Sequence, residues 1–183
     1  MIDFANFAPA ADSVLMLLDL QRDFLDDDGR MPVARSHVEP VVVAARQATG
    51  AFKRAGRPIV AVGNEFRRND FIMNLLRRHA SLEGSPGARW DARAPIDGAA
   101  YFPKWAESAF VNPALEPWLR ERGVREIVLG GLRANACVSS TAREAMRRGF
   151  RVTLLTPAIA CSSDGSRARS LARLRRAGAD IAA

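Results

Sequence analysis

Short, mostly apolar runs alternate along this chain with longer segments of helical periodicity. The first run covers residues 14–18, and others lie at 58–62, 126–130 and 151–155. Continuous apolar strands are typical of parallel sheets, because a strand that is covered on both faces has no position that faces water. The alternation therefore predicts an α/β fold with three layers, in which helices cover both faces of a mostly parallel central sheet.

Helices between these strands are predicted from spacing and from capping residues. Ser36 fits an N-cap because Glu39 follows three residues later, and apolar residues then keep helical spacing as far as Ala55. An irregular segment, 63–100, is long enough to carry function or substrate selection. Further helices are predicted at 70–78, 112–122, 137–148 and 165–177, and further strands at 99–102 and 180–182.

Composition narrows the class of protein. A chain of 183 residues that is 48% hydrophobic and 26% charged suits one soluble domain, here residues 1–183. The apolar runs are too short to cross a bilayer, and the first residues lack the basic start of a signal peptide. We therefore expect a cytoplasmic protein with no membrane partner. In that compartment Cys137 and Cys161 are expected to be reduced thiols.

The net charge of +7 is carried by arginine, since Lys53 and Lys104 are the two lysines among 27 basic residues. Arginine pairs are scattered over separate segments, without the interleaved aromatic residues that stack nucleic-acid bases. We therefore interpret these arginines as part of solvated helix faces, and we expect no nucleic-acid partner. The lysine at 104 is informative because an ammonium can titrate, whereas a guanidinium keeps its proton.

Three polar residues follow predicted strands. Asp19 ends the first apolar run, Lys104 follows the strand near 99–102, and Cys137 follows the run at 126–130 and opens a helix. The carboxyl ends of parallel strands share one edge of a sheet, and ligands bind there in folds of this class. A carboxylate, an ammonium and a thiol at that edge are suited to nucleophilic attack on a carbonyl group.

Each of these residues also has a simpler interpretation. Taken alone, Cys137 could be a small residue that packs in the apolar core. Asp19 could simply accept hydrogen bonds from the loop that follows it, and Lys104 could be a surface charge. The helix start at Cys137 favours a thiolate, whereas Cys161 has no helix directly behind it and is interpreted as packing. The convergence of three positions on one edge indicates a catalytic site.

Neither a metal nor a cofactor is predicted. His37 and His79 are the two histidines, and neither stands in a metal-ligand spacing. Gly130 and Gly131 are not followed by the further glycines that a dinucleotide-binding or phosphate-binding loop requires. The expected ligand is a small-molecule substrate.

Three motifs resemble the isochorismatase-like cysteine hydrolase superfamily, which includes nicotinamidases, N-carbamoylsarcosine and ureidoacrylate amidohydrolases, and isochorismatase. They are LDLQRDF at 18–24, KWAESAF at 104–110 and GGLRANACV at 130–138. The resemblance runs from about Val14 to Ile181. It implies a Rossmann-like α/β/α fold and a homo-oligomer, either a dimer or a tetramer.

The resemblance implies that Asp19, Lys104 and Cys137 form a catalytic triad. It also implies a cis peptide bond between Leu132 and Arg133, and an oxyanion hole made by the backbone N–H groups of Arg133 and Cys137. The implied reaction is hydrolysis of a C–N bond in a small amide, ureide or carbamoyl compound through a thioester. The alternatives are vinyl ether hydrolysis of the isochorismatase type and a non-catalytic descendant that binds a small molecule.

This sequence departs from the superfamily at two places. Nicotinamidases place an aspartate and histidines around a metal after the second strand, but residues 63–70 contain no histidine, so nicotinamide is disfavoured. Arg133 is long and charged where a small residue is usual, and its side chain is expected to face solvent or to bind an acidic group of the substrate. The other candidates for the substrate pocket are Gln21, Phe24, Phe66, Trp105 and Phe110.

Overall fold

The computed structural model describes residues 2–94 and 96–182. Its strands are β1 (Ser13–Leu18), β2 (Ile59–Asn64), β3 (Ala100–Lys104), β4 (Glu126–Gly131), β5 (Arg151–Ile159) and β6 (Asp180–Ala182). They form one sheet in the order β3-β2-β1-β4-β5-β6, and every neighbouring pair is parallel. The predicted central sheet is confirmed, and it is wholly parallel.

Helices cover both faces of this sheet, as predicted. They are α1 (Arg22–Leu25), α2 (Arg35–Arg54), α3 (Phe71–Leu76), α4 (Leu115–Glu121), α5 (Cys137–Arg147) and α6 (Asp164–Arg176). Short 3₁₀ turns lie at Pro86–Ala88 and Ala109–Val111. Within the ranges just given, no helix combines the length and the apolar character that a membrane span requires.

Alternate side chains of the strands pack into two cores, one on each face of the sheet. In β1, Val14 and Met16 belong to the core that α4, α5 and α6 cover, whereas Leu15 and Leu17 belong to the core that α2 covers. All residues of β1 are buried. The unbroken apolar run of this strand is thus explained by helices on both sides of it.

Three element boundaries differ from the predictions. The predicted N-cap at Ser36 is wrong, because α2 begins at Arg35 and the N–H of Ala34 donates to the carbonyl of Cys161 at 3.0 Å. Strands β2 and β3 both extend two residues beyond their predicted ends, and Asn64 and Lys104 are paired in register there. A polar pair therefore closes the carboxyl end of these neighbouring strands.

The short helix α3 exposes most of its apolar side chains. Phe71, Ile72, Leu75 and Leu76 are each at least 70% exposed. The helix is anchored instead by Asn74, which is buried and donates through its side chain to the carbonyl of Arg67 at 2.9 Å.

Candidate active site

The carboxyl edge of the sheet brings the three predicted residues together. Lys104 Nζ lies 3.1 Å from Asp19 Oδ2 and 3.1 Å from Cys137 Sγ. The side chains of Lys104 and Asp19 are 0% and 2% exposed, whereas Cys137 is partly exposed. A buried ammonium thus bridges a carboxylate and a thiol.

Asp19 follows β1 in a left-handed backbone conformation, with φ at 58°. A residue with a Cβ atom rarely adopts this conformation unless the surrounding structure enforces it. Here the N–H of Asp19 donates to the carbonyl of Val62 at 2.8 Å, and its carbonyl accepts from the N–H of Gln21 at 2.7 Å. These bonds turn the chain at the end of the strand, and the Asp19 side chain lines the adjacent cavity.

Lys104 is held by acceptors on neighbouring segments. Its ammonium donates to Asn64 Oδ1 and, at 3.2 Å, to the carbonyl of Ala106. Asn64 is fixed in turn by Gln21, whose Oε1 accepts from the Asn64 N–H at 2.8 Å and whose Nε2 donates to the Asn64 carbonyl at 2.8 Å. The sequence motifs do not mark Asn64 as a site residue, and its position at the end of the buried strand β2 is the sequence signal that points to it.

Cys137 is the first residue of α5, and a tight turn precedes it. The peptide bond between Leu132 and Arg133 is cis. The carbonyl of Arg133 accepts from the N–H groups of Ala136 at 3.0 Å and Val138 at 3.2 Å. Among the described residues, no atom accepts a hydrogen bond from the backbone N–H of Arg133 or of Cys137. Both donors are therefore available to a ligand.

Burial and neighbouring charge set the protonation of these groups. Burial raises the pKa of Asp19 above its usual range, and the Lys104 charge only partly opposes this. Burial alone would lower the pKa of Lys104, but the charges of Asp19 and then Cys137 raise it above its ordinary value. Burial and then the Asp19 charge raise the pKa of Cys137 to about 12. This raised pKa favours a neutral thiol at pH 7, which is opposite to the effect expected from the helix start.

A cavity of about 210 Å³ opens beside Asp19, Asn64 and Cys137. It is smaller than the roughly 300–1,000 Å³ of pockets that hold drug-sized ligands, which indicates a small ligand. The rest of its lining is apolar except for three charged side chains. The apolar residues are Phe24, Met31, Phe66, Met73, Leu132 and Ala136, and the charged ones are Arg77, Glu107 and Arg133.

Phe24, Phe66 and Arg133 are thus among the lining residues, but the other pocket candidates lie elsewhere. Gln21 is fully buried and binds the backbone of Asn64, as described above. Phe110 packs in the core against Phe150, with ring centroids 6.1 Å apart. Trp105 packs under Arg67, whose Cζ is 5.3 Å from the ring centroid. These three assignments are corrected because the side chains are engaged by core or surface neighbours rather than by the cavity.

Cys161 and the two histidines are not part of this site. Cys161 is fully buried, and its Sγ lies 3.2 Å from Asn135 Oδ1. His37 Nε2 contacts Asp164 Oδ1 at 2.6 Å, while its Nδ1 faces the backbone of Cys161. Across residues 2–94 and 96–182, no three His, Cys, Asp or Glu side chains come together as metal ligands.

Comparison with known sequences gives a family for the chain. The family model described as Isochorismatase domain matches residues 13–183. Ureidoacrylate amidohydrolase RutB of Stutzerimonas stutzeri (strain A1501) is 28% identical over an alignment of 160 residues, with coverage of 74% of this chain and 64% of that protein. RutB of Klebsiella pneumoniae (strain 342) is 28% identical over an alignment of 163 residues, with coverage of 76% of this chain and 69% of that protein. The chain thus spans less than two thirds of the length of the first of these relatives.

Comparison with solved structures gives the same fold. Nicotinamidase PncA from Bacillus subtilis superposes with a TM-score of 0.86 at 23% identity, covering 94% of this chain and 99% of that one. N-carbamoylsarcosine amidase from Thermoplasma acidophilum superposes with a TM-score of 0.80 at 26% identity, covering 93% of this chain and 95% of that one. Both comparisons confirm the predicted α/β architecture.

Proposed function

The chain belongs to the isochorismatase family, and on that basis we propose that it is a cysteine hydrolase that cleaves a C–N bond in a small amide, ureide or carbamoyl compound. One observation carries the proposal: Lys104 Nζ is 3.1 Å from both Asp19 Oδ2 and Cys137 Sγ, beside the cavity. Asp19 Oδ2 is paired with the Lys104 ammonium at 3.1 Å, and Asp19 Oδ1 has no hydrogen-bond partner among the described residues. A free acceptor next to a thiol is suited to proton transfer.

The neutral thiol requires a base before it can attack. Because the pKa of Cys137 is about 12, its thiolate is scarce at pH 7. Asp19 therefore takes the thiol proton as Sγ approaches the substrate carbon. Lys104 stays protonated throughout and stabilises whichever of its two neighbours carries the negative charge.

In the first half of the reaction, an S–C bond forms between Cys137 Sγ and the carbonyl carbon. The carbonyl oxygen becomes an oxyanion, which the backbone N–H groups of Arg133 and Cys137 are free to bind. The protonated Asp19 then gives its proton to the nitrogen, the C–N bond breaks, and ammonia or an amine leaves. The acyl group remains on sulfur as a thioester.

In the second half, water replaces the departed amine. The oxygen of the water attacks the thioester carbon while Asp19 takes a proton from the water, and the C–S bond then breaks. The carboxyl group returns the proton to sulfur, which regenerates the neutral thiol and releases the acid. No metal or cofactor takes part in the proposed cycle.

The comparisons favour C–N hydrolysis over the alternatives. Curated relatives are named ureidoacrylate amidohydrolase, and one structural neighbour is an N-carbamoylsarcosine amidase. Nicotinamide remains disfavoured because residues 63–70 contain no histidine. Vinyl ether hydrolysis does not require a thiol, so the presence of Cys137 at the cavity favours an amide substrate.

A screen for ammonia release tests the proposal. Primary amides, ureides and carbamoyl compounds are incubated with the protein, with Cys137→Ser as the inactive variant and Cys161→Ser as its matched control. We expect ammonia from at least one compound with the unmodified protein and Cys161→Ser, and none with Cys137→Ser. Full activity of a Cys137→Ala protein would exclude the mechanism, and a non-catalytic binding protein would release no ammonia from any compound.

The proposal includes a cytoplasmic homo-oligomer, either a dimer or a tetramer, as the family resemblance implies. Sedimentation velocity at several protein concentrations measures this state directly. A single monomeric species at all concentrations would contradict it.

A further inference from the structure

We propose that Asp23 is a positioning residue, which holds three walls of the cavity together and thereby sets the affinity for the substrate. In the motif at 18–24, Asp19 belongs to the triad and Gln21 fixes Asn64, whereas Asp23 does not line the cavity. This role in affinity rests on the proposed function, but the contacts of Asp23 do not depend on it.

The Asp23 carboxylate is buried, and its partners are backbone N–H groups. The residue is 6% exposed. Its Oδ2 accepts from the N–H of Ser81 at 2.7 Å, and its Oδ1 accepts from the N–H of Arg30 at 3.3 Å. No Lys, Arg or His side chain of the described residues lies within ion-pair distance of it. Because a hydrogen bond to a charged acceptor is stronger than one between neutral groups, the carboxylate fixes both segments that donate to it.

These contacts continue directly into the walls of the cavity. The carbonyl of Ser81 accepts from the N–H of Phe66 at 2.9 Å, and the carbonyl of Asp23 accepts from the N–H of Met31 at 3.0 Å. Phe24 is the next residue of α1 after Asp23. Phe24, Met31 and Phe66 all line the cavity. One residue therefore connects three apolar walls that come from separate segments.

The segment that contains Ser81 needs this support because its backbone conformation is unfavourable by itself. Arg78, His79 and Ser81 have φ angles of 52°, 57° and 48°, in the left-handed region that residues with a Cβ atom rarely adopt. Arg30 Nη1 donates to the carbonyl of His79 at 2.6 Å, so the Arg30 segment holds this one at a second point. Loss of the bond to the Ser81 N–H should let the segment relax and move the cavity wall that is bonded to it.

Gly87 packs directly against the same carboxylate. A Cβ atom at this position would overlap the Asp23 carboxyl group. The glycine therefore allows the backbone of the turn at Pro86–Ala88 to approach the carboxylate closely, and a side chain there would displace it. This contact gives a second way to move Asp23, in which the carboxylate itself is kept.

The triad is supported separately from the cavity walls. Lys104 is held by Asn64 and by the carbonyl of Ala106, and no hydrogen bond joins Asp23 to Lys104 or to Cys137. The apolar walls contact the part of the substrate that does not react. Their displacement should weaken binding of the substrate and of the transition state alike, which raises KM and leaves kcat unchanged.

Steady-state kinetics with the fastest substrate of the ammonia screen tests this role. We expect Asp23→Ala to raise KM about tenfold and Asp23→Asn, which keeps one acceptor oxygen, to raise it less, with kcat within about twofold in both. Asp28→Asn is the matched control, because Asp28 is exposed in the loop after α1, and it should keep the KM of the unmodified protein.

Two results of these kinetics would overturn the inference. The first is a decrease of kcat at constant KM in Asp23→Ala, which is the result of a loss of folded protein alone. The second is an unchanged KM in Asp23→Asn, and this variant decides by itself if Asp23→Ala does not fold.

A double-mutant cycle with Gly87→Ala isolates the contact with the carboxylate. We expect Gly87→Ala to raise KM about tenfold in the unmodified protein but less than about twofold in the Asp23→Ala protein, because the displaced group is then absent. Gly50→Ala is the matched control, since a Cβ atom there would lie 3.4 Å from Arg54 Nη1, an ordinary contact, and it should leave KM unchanged. Equal effects of Gly87→Ala in both proteins would overturn the inference.

Hydrogen exchange separates this inference from the proposed function, because it requires no substrate. We expect the peptides that contain Met31 and Ser81 to exchange faster in Asp23→Asn than in the unmodified protein, and at the original rate in Asp28→Asn. If no compound releases ammonia, the proposed function fails, and faster exchange still supports the role of Asp23 in the cavity walls. If ammonia is released but neither exchange nor KM changes in Asp23→Asn, the proposed function stands and the role of Asp23 fails.

Discussion

Asp19 Oδ2 and Lys104 Nζ form an ion pair of 3.1 Å whose side chains are 2% and 0% exposed. Removing one partner of such a pair leaves an uncompensated charge in the interior, which costs more than the attraction between the two. The thiol of Cys137 contacts the same ammonium. A change of charge at any one of the three groups therefore alters the protonation of the other two.

Replacing Lys104 with methionine should destabilise the fold as well as abolish activity. The change leaves the buried Asp19 carboxylate without its partner, and we expect the free energy of unfolding to fall by about 3–5 kcal/mol. Urea denaturation measures this loss. Lys53→Met is the matched control, since Lys53 is exposed, and it should change the free energy by less than about 0.5 kcal/mol. Equal stabilities of the two variants would contradict the buried ion pair.

The reactivity of Cys137 should respond in opposite directions to its two neighbours. The Asp19 charge raises the pKa of the thiol and the Lys104 charge lowers it. At pH 7 we therefore expect Asp19→Asn to speed alkylation of Cys137 by iodoacetamide and Lys104→Met to slow it, while both variants lose ammonia release.

Peptide mass spectrometry follows that alkylation, with Cys161 as the internal reference in each sample. Cys161 is fully buried, so it should react slowly in all three proteins. If Asp19→Asn slowed alkylation of Cys137 as much as Lys104→Met does, the Asp19 charge would not be what raises the pKa of this thiol.

The decrease of kcat/KM at low pH should follow the protonation of the Asp19 carboxyl group. Burial raises the pKa of this carboxyl group, so activity should fall as pH decreases through a midpoint above the usual value of about 3.9. The Lys104 ammonium has a raised pKa, so no loss is expected below about pH 10.4. A rise in kcat/KM between about pH 8 and 9 would instead indicate an ordinary free thiolate as the nucleophile.

Gln21 should act as a positioning residue for Asn64. Its side chain holds both backbone groups of Asn64, and Asn64 Oδ1 accepts from Lys104. Gln21→Leu leaves these buried groups unpaired, which should lower the free energy of unfolding by about 1–3 kcal/mol. We also expect kcat to fall with little change in KM, because the ammonium loses its alignment. An unchanged kcat would show that Asn64 stays in place without this support.

The triad positions could be predicted because they follow from the arrangement of strands. Asp19 follows one parallel strand, Lys104 ends another and Cys137 opens the helix after a third, so the topology alone brings them to one edge of the sheet. The pattern of apolar and polar residues along the chain is therefore sufficient to predict that these three residues meet.

The cavity wall could not be predicted in the same way. Met31 comes from an irregular segment, whereas Met73 lies in the short helix α3 and Arg77 directly follows it, so only the folded chain shows that they meet. Trp105 and Phe110 lie in the same motif as Lys104, yet local turns direct them to a surface contact and to the core. The direction of the Cys137 pKa shift also depends on burial and on a charge from a distant part of the chain.

The central claim is that Cys137 carries an acyl group during turnover. Acid quenching of the reaction, with the amide that releases ammonia fastest, followed by mass spectrometry of the peptides, measures this directly. We predict the mass of one acyl group on the Cys137 peptide, none on the Cys161 peptide, and none in the Cys137→Ser protein. Continued turnover by a Cys137→Ala protein, with no adduct on any peptide, would contradict the account.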